Sequence, residues 1–197
     1  MTPRIFAAVL AAGRASRFGS TKQLADFEGS PMVRRVVQTA TRVCGAGTLL
    51  VTGHDRAAVA RACAGLPGFV TVNHDYRHGI GSSIAHAARV LSSTASAILV
   101  ILADQPRIPE QHLQAMIDAW SGDDNAIVAT SYRGTRGAPV LFPRACFTEL
   151  TKLDRDSGGR HLINDERFAV RTVECEAAAL DVDTPEDLTQ ISRSARS

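Results

Sequence analysis

Apolar positions along the chain alternate between two patterns. Short unbroken or nearly unbroken runs at residues 5–10, 48–52, 70–73, 97–102, 126–131 and 140–142 predict buried strands, and residues 168–173 alternate as a further strand. Between them, apolar residues recur every three or four positions. Met32, Val33, Val36, Val37, Ala40 and Val43 predict a helix opened by Ser30 as cap and Pro31 as first residue, and ended by Gly45 and Gly47. Further helices are predicted over residues 55–63, 82–91, 109–120 and 144–153. A last helix is announced by Thr184, Pro185 and the acidic pair Glu186-Asp187. Strand and helix in alternation predict an α/β fold: a mostly parallel, doubly wound sheet with helices on both faces. The 97–102 run is the most apolar and is expected at the centre.

A chain of 197 residues without repeat, linker or low-complexity segment is expected to form one domain over 1–197, with the tail from about residue 192 frayed. The formal net charge of +2 argues against a nucleic-acid binder, which would show a concentrated basic stripe. No apolar run approaches a membrane span, and residues 1–4 lead directly into the first strand, so the expectation is a cytoplasmic protein without a leader. Cys44, Cys63, Cys146 and Cys175 are far apart and have no C-x-x-C pairing, which suits reduced thiols.

The candidate chemistry begins where the first strand ends. Leu10-Ala11-Ala12-Gly13-Arg14-Ala15-Ser16-Arg17-Phe18-Gly19-Ser20-Thr21-Lys22 is small, glycine-punctuated and basic. Its glycines allow close approach of a ligand to main-chain amides, and Arg14, Arg17 and Lys22 add three cations, as a phosphate-holding loop requires. It is not a Walker A loop, because five residues separate Gly13 from Gly19 and Lys22 follows no glycine. Nor is it a dinucleotide fingerprint, since Ala15 stands where the second glycine belongs. The turn Gly79-Ile80-Gly81-Ser82-Ser83 opens a helix whose first amides and two hydroxyls suit an anion or a polar ring edge; a plain serine cap explains the same residues. His74 and His78, four apart, lack a third ligand nearby and read as loop residues rather than a zinc site. Asp104, closing the central strand ahead of Gln105-Pro106, lies where open α/β sheets place function and is the candidate metal carboxylate.

Taken in order, these pieces resemble a known family. The loop, Gly79-x-Gly81-Ser82-Ser83, Asp104-Gln105-Pro106, Gly137-x-Pro139, Asp156-x-Gly158-Gly159-Arg160 and Asp183-Thr184-Pro185-Glu186-Asp187-Leu188 resemble the molybdenum cofactor cytidylyltransferases and other MobA-like NTP transferases, over nearly the whole chain. The resemblance implies a Rossmann-like nucleotidyltransferase fold and transfer of CMP from CTP to the phosphate of molybdopterin. The products are molybdopterin cytosine dinucleotide and pyrophosphate. Lys22, Arg17 and Asp104 are implied as catalytic. Leu10, Ala11, Ala12, Gly13, Gly19, Lys22, Gly79, Gly81, Ser82 and Ser83 are implied for the nucleotide, and Gly137, Pro139, Asp156 and Arg160 for the acceptor. Mg²⁺ is implied on Asp104 and Asp183, with Asp181 as the competing second carboxylate. Both carboxylates could instead only cap the last helix. A molybdenum hydroxylase apoenzyme is the implied downstream partner.

The chain departs from the family pattern twice. Arg155 stands where relatives carry glycine before the aspartate of the Asp156 element, and Leu24-Ala25-Asp26-Phe27 lacks a second large apolar residue after Lys22. Alternatives stay open at this stage: another phosphate acceptor, such as methylerythritol phosphate or a sugar phosphate, or a cofactor-binding maturation chaperone for molybdenum hydroxylases. The Ala11-Ala12-Gly13 form resembles the pyrimidine-using branch, and the Ala12 methyl is expected to favour CTP over GTP.

Overall fold

A computed structural model describes residues 4–14, 18–155 and 158–193. Among these residues the strands are, in chain order, β1 (Ile5–Ala11), β2 (Asp26–Phe27), β3 (Ser30–Pro31), β4 (Thr48–Thr52), β5 (Phe69–Val72), β6 (Ala97–Leu102), β7 (Ala126–Tyr132), β8 (Thr135–Pro143) and β9 (Ala169–Glu174). The helices are α1 (Met32–Cys44), α2 (Arg56–Ala62), α3 (Ile80–Leu91), α4 (Glu110–Trp120), α5 (Phe147–Leu150), α6 (Arg160–Ile163) and α7 (Pro185–Arg193). Seven strands form one sheet in the order β5-β4-β1-β6-β8-β7-β9. All neighbouring pairs are parallel except those of β8, which runs antiparallel to both β6 and β7. The expected mostly parallel, doubly wound sheet is therefore the observed one, and β6 is flanked on both sides.

Alternation along each strand sends successive side chains to opposite faces. Ala8 and Leu10 of β1 join Leu49, Val51 and the α3 residues Ala85, Ala88 and Leu91 in one core. Ala7, Val9 and Ala11 join Val33, Val36 and Val37 of α1 and Leu113, Met116 and Trp120 of α4 in the other. A third, smaller cluster of Phe27, Met32, Val182 and Ile191 fixes the last helix to the β2–β3 hairpin. Among the described residues no helix is long and apolar enough to cross a membrane.

Two expectations are corrected. Ser30 and Pro31 do not open α1. They form β3, paired with β2 across Glu28 and Gly29, both at positive φ (55° and 82°), the geometry of a two-residue hairpin turn. Pro31 is the cap and α1 starts at Met32. Residues 144–153 are a 3-10 turn, Arg144–Cys146, followed by the single-turn α5 rather than one longer helix. α7 runs through Arg193, so part of the tail expected to fray is helical; residues 194–197 of that tail lie outside the described residues. All four cysteines are free thiols.

Candidate active site

The carboxyl ends of β1 and β6 open onto one crevice, and the sheet's topology brings three charged groups together there. Lys22 sits on a 3-10 turn, Lys22–Leu24, and is 8% exposed. Its Nζ lies 2.8 Å from Oδ2 of Asp104, just past β6, and 3.1 Å from Oδ1 of Asp183, just before α7. A main-chain bond from the Val182 amide to the Asp104 carbonyl, 3.0 Å, ties the two carboxylate-bearing segments side by side. Burial alone would lower the Lys22 ammonium, but the facing Asp104 and Asp183 carboxylates outweigh it and hold it above its usual value. The second Asp104 oxygen, Oδ1, is buried with no hydrogen-bond partner among the described residues.

Asp181 and Asp183, the competing candidates for the second carboxylate, find different partners. Asp181 Oδ1 accepts from Gln105 Nε2 at 2.9 Å, while Asp183 goes to Lys22. Desolvation, reinforced by the Asp104 and Asp183 charges, holds Asp181 above the usual carboxylate range against the Gln105 hydrogen bond. Asp187 accepts from the Asp183 and Thr184 amides, and the Asp187 amide donates to Thr184 Oγ1, so the capping signal read at Thr184 is fulfilled as well. Capping and a place in the cluster coexist at this turn.

A cavity of about 610 Å³ stands over the cluster. Of the expected residues, Leu10, Ala12, Gly13, Arg14, Lys22, Gly79, Ser83 and Asp104 line it. Ala11 is buried inside β1 and does not, and Gly19 forms a turn at φ 76° away from the lining. Gly81 and Ser82 are also absent from the lining, for structural reasons. Ser82 is buried, with its Oγ 2.9 Å from the Asp75 carbonyl and 2.8 Å from that of Gly79, and it accepts from Asn73 Nδ2. It pegs the turn together; Ser83, held by the same Asn73 amide at 3.1 Å, is the hydroxyl left at the cavity wall. Sequence reasoning missed Gln23, Tyr76 and Arg77 as lining. Gln23 is buried beside Lys22 and its Nε2 donates to the Gly13 carbonyl at 2.8 Å, which fixes the loop. A glutamine next to the loop's lysine was the available signal.

A second cavity, about 360 Å³, adjoins the first and shares Ile80 and Leu102 with it. Gly137, Arg160, Tyr132 and Asp181 line it, together with apolar walls from Val140 and Phe142. The Gly137-x-Pro139 element is a β-bulge: Ala129 faces Val140, yet Thr130 faces Gly137, which leaves Ala138 and Pro139 as extra residues on β8. Pro139 is buried and outside the lining, its carbonyl accepting from Thr130 Oγ1 at 2.7 Å, so it shapes the bulge. Gly137 is needed because Tyr132 crosses it, and a methyl there would sit 2.5 Å from the Tyr132 hydroxyl. Burial first, and then the Asp181 charge, push the Tyr132 hydroxyl up, with Arg160 opposing. Arg17 and Asp156, expected as catalytic and acceptor-binding residues, lie outside the described residues.

Among the described residues no three His, Cys, Asp or Glu side chains converge on a metal position, His74 and His78 included. Two hard carboxylates beside this cavity can still share an ion with a bound phosphate, as Mg²⁺ sites commonly do.

The chain is similar over nearly its full length to Purine catabolism protein PucB of Bacillus subtilis, 27% identical over 203 residues covering 98% of each chain. It is also similar to Nicotine blue oxidoreductase of Paenarthrobacter nicotinovorans, 28% identical over 200 residues, 94% of this chain and 95% of that one. Among solved structures, Rv0371c from Mycobacterium tuberculosis superposes with a TM-score of 0.84 at 28% identity, over 98% of this chain and 100% of that one. Its manganese complex superposes at 0.77 with 27% identity, over 97% and 99%. The Rossmann-like sheet read from the sequence is thus a nucleotidyltransferase fold. The MobA-like NTP transferase domain matches residues 7–172, from β1 into β9, and the chain belongs to that family.

Proposed function

We propose that the protein transfers CMP from CTP to the terminal phosphate of molybdopterin, releasing pyrophosphate, with Mg²⁺ held between Asp104 and Asp183. One observation carries most weight. The cavity beside the glycine loop and the cavity beside Arg160 are neighbours, meeting at Ile80 and Leu102, with Lys22 and Asp104 lining the first. Two substrates bound there would meet beside Ile80 and Leu102, with Lys22 and Asp104 on the wall of the first cavity.

The acceptor phosphate has a second pKa of about 6 and is largely ionised near neutrality, so no general base is required. The difficulty is one anion approaching another, and catalysis of this type rests on positioning and neutralisation. Lys22, Arg14 and the loop amides supply positive charge to the triphosphate. Arg160, whose guanidinium binds phosphate in a fork, suits the acceptor. The hard oxygens that Asp104 and Asp183 turn onto Lys22 fit a divalent ion. When bound, Mg²⁺ supplies Lewis-acid stabilisation to the phosphoryl oxygens. Ser83 and the turn after Gly79 offer a hydroxyl and amides to the base edge, and Ala12 narrows the same cavity toward a single ring. The product would be passed to a molybdenum hydroxylase apoenzyme.

The test is pyrophosphate release with each NTP, with and without molybdopterin, alongside methylerythritol phosphate and a sugar phosphate as competing acceptors. The expected result is release that requires both CTP and molybdopterin, with CTP favoured over GTP by at least about tenfold in kcat/KM. The two long relatives carry names of different chemistry, so pyrophosphate is the readout that separates nucleotidyl transfer from other reactions on this fold. Release with another acceptor and none with molybdopterin would reassign the substrate.

A further inference from the structure

Lys22 occupies the space that the reading above gives to the metal. Its Nζ lies within hydrogen-bond distance of one oxygen from each carboxylate, 2.8 Å from Asp104 Oδ2 and 3.1 Å from Asp183 Oδ1. A divalent ion bound to those two oxygens, at about 2.1 Å from each, would fall into the same volume. The other Asp104 oxygen offers no way round, since Oδ1 is buried and closed to solvent. Two carboxylates carry two negative charges, and Lys22 already neutralises one of them. A doubly charged ion arriving alone would therefore have to push a like-charged ammonium out of a favourable buried site and leave it without a partner. A triphosphate changes this balance. Lys22 lines the 610 Å³ cavity as well as the cluster, so phosphate oxygens bound there accept from the same Nζ and draw it off the carboxylates.

Resting on the assignment of Asp104 and Asp183 as the metal carboxylates, we infer that Lys22 is a resident cation that excludes free divalent metal, so that metal and nucleotide are taken up together as a metal–NTP complex. Lys22 then has two successive partners: the carboxylates in the nucleotide-free protein and the phosphates in the loaded one.

The test is direct Mn²⁺ binding, followed by the loss of the free-ion paramagnetic signal, with and without non-hydrolysable α,β-methylene triphosphates of each base. The full-length wild-type protein should bind Mn²⁺ at least about tenfold more tightly with nucleotide than without. Lys22→Met, which keeps the length and removes the charge, should bind Mn²⁺ alone at least about tenfold more tightly than wild type and lose most of the nucleotide dependence. Lys22→Arg should remain weak. In thermal melts without nucleotide, Mn²⁺ should raise the Tm of Lys22→Met and leave wild type nearly unmoved; Lys22→Gln serves if the methionine variant does not fold. Asp104→Asn added to Lys22→Met should abolish the gain. Equal Mn²⁺ affinity of wild type with and without nucleotide, or no gain in either neutral variant, overturns the inference. Mn²⁺ exclusion that behaves as stated in a protein that forms no pyrophosphate with molybdopterin keeps the inference and discards only the proposed reaction.

Discussion

Gly81 is packed so tightly against Asp154 that a methyl group on its Cα would sit 2.6 Å from the Asp154 carbonyl oxygen and 2.8 Å from that of Arg155. The first turn of α3, whose Ile80 and Ser83 line the first cavity, is thus in contact with the segment before Gly158 and Arg160, which line the second. Gly81→Ala should lower stability. Alanine gains about 0.5–1 kcal/mol of helix preference, whereas overpacking costs about 1–3 kcal/mol. The expected net loss is about 1–2 kcal/mol, with a rise in KM for the acceptor larger than that for the nucleotide. A melt and steady-state kinetics check both. Unchanged stability would show that the 154–155 segment yields freely.

Lys22→Ala should reduce turnover by about 10²–10³, the usual cost of one lost transition-state contact. Pyrophosphate release measures it. Retention of more than half of the wild-type rate would remove Lys22 from the chemistry.

Asp104→Asn preserves shape while removing the charge that faces both Lys22 and the proposed ion. Activity should fall sharply and recover in part as Mg²⁺ is raised. Wild-type activity that persists in a chelator would exclude the metal role.

Arg155 adopts φ 55°, the left-handed region that costs a side-chain-bearing residue about 1–2 kcal/mol. Its side chain is well exposed, with only a 4.0 Å approach to Asp154, so the arginine gains little in return. Arg155→Gly should therefore stabilise the fold by about 0.5–1 kcal/mol, after about 0.4–1 kcal/mol for the looser unfolded chain. A drop in Tm would mean that the arginine makes a contribution its exposed position does not reveal.

His112 is buried under the sheet with Nε2 2.8 Å from Thr130 Oγ1, whose own hydrogen goes to the Pro139 carbonyl, so Nε2 carries the proton as donor in the neutral ring. Burial pushes its pKa below the ordinary 6.5. Below pH 6.5 the unfolded chain takes up a proton that the native ring refuses, so stability falls as pH drops from 6.5 toward the depressed native value. His86, also lowered first by burial, adds in the same direction. Denaturant unfolding at pH 7, 6 and 5 should show the decline, and His112→Gln should flatten it. A slope identical in the variant would place the titration elsewhere.

Much of the fold was legible because most sheet strands are buried on both faces. Residues 48–52 and 97–102 read as apolar runs and are β4 and β6 without a shift. Ser30-Pro31 misled because a local capping signal competed with a hairpin whose turn, Glu28-Gly29, depends on two positive φ values that only the glycine advertises. β8 was legible only as the apolar run 140–142; the strand itself reaches back through the polar residues to Thr135. In the site, Lys22, Asp104 and Asp183 could each be picked by type and position, yet their mutual contact spans 82 and 161 residues of sequence and is a product of topology. Ser82 and Pro139 looked like ligand contacts because their motifs border the cavities. Their own hydrogen bonds show that they brace the walls.

The reversed strand also bears on how this scaffold can diversify. β8 pairs with β6 only through residues 140–143, while its first part, residues 135–137, is held by β7 alone. Arg136 and Gly137 therefore sit on an overhang that projects past the shared ladder. Insertions or exchanges in the Tyr132 to Ala138 hairpin can redraw the wall of the second cavity without breaking a main-chain bond of β6, which ends just before Asp104. On the proposed function, such a layout would let a new second substrate be accommodated by small, local edits, and it marks this hairpin as the place to graft when a new acceptor is wanted.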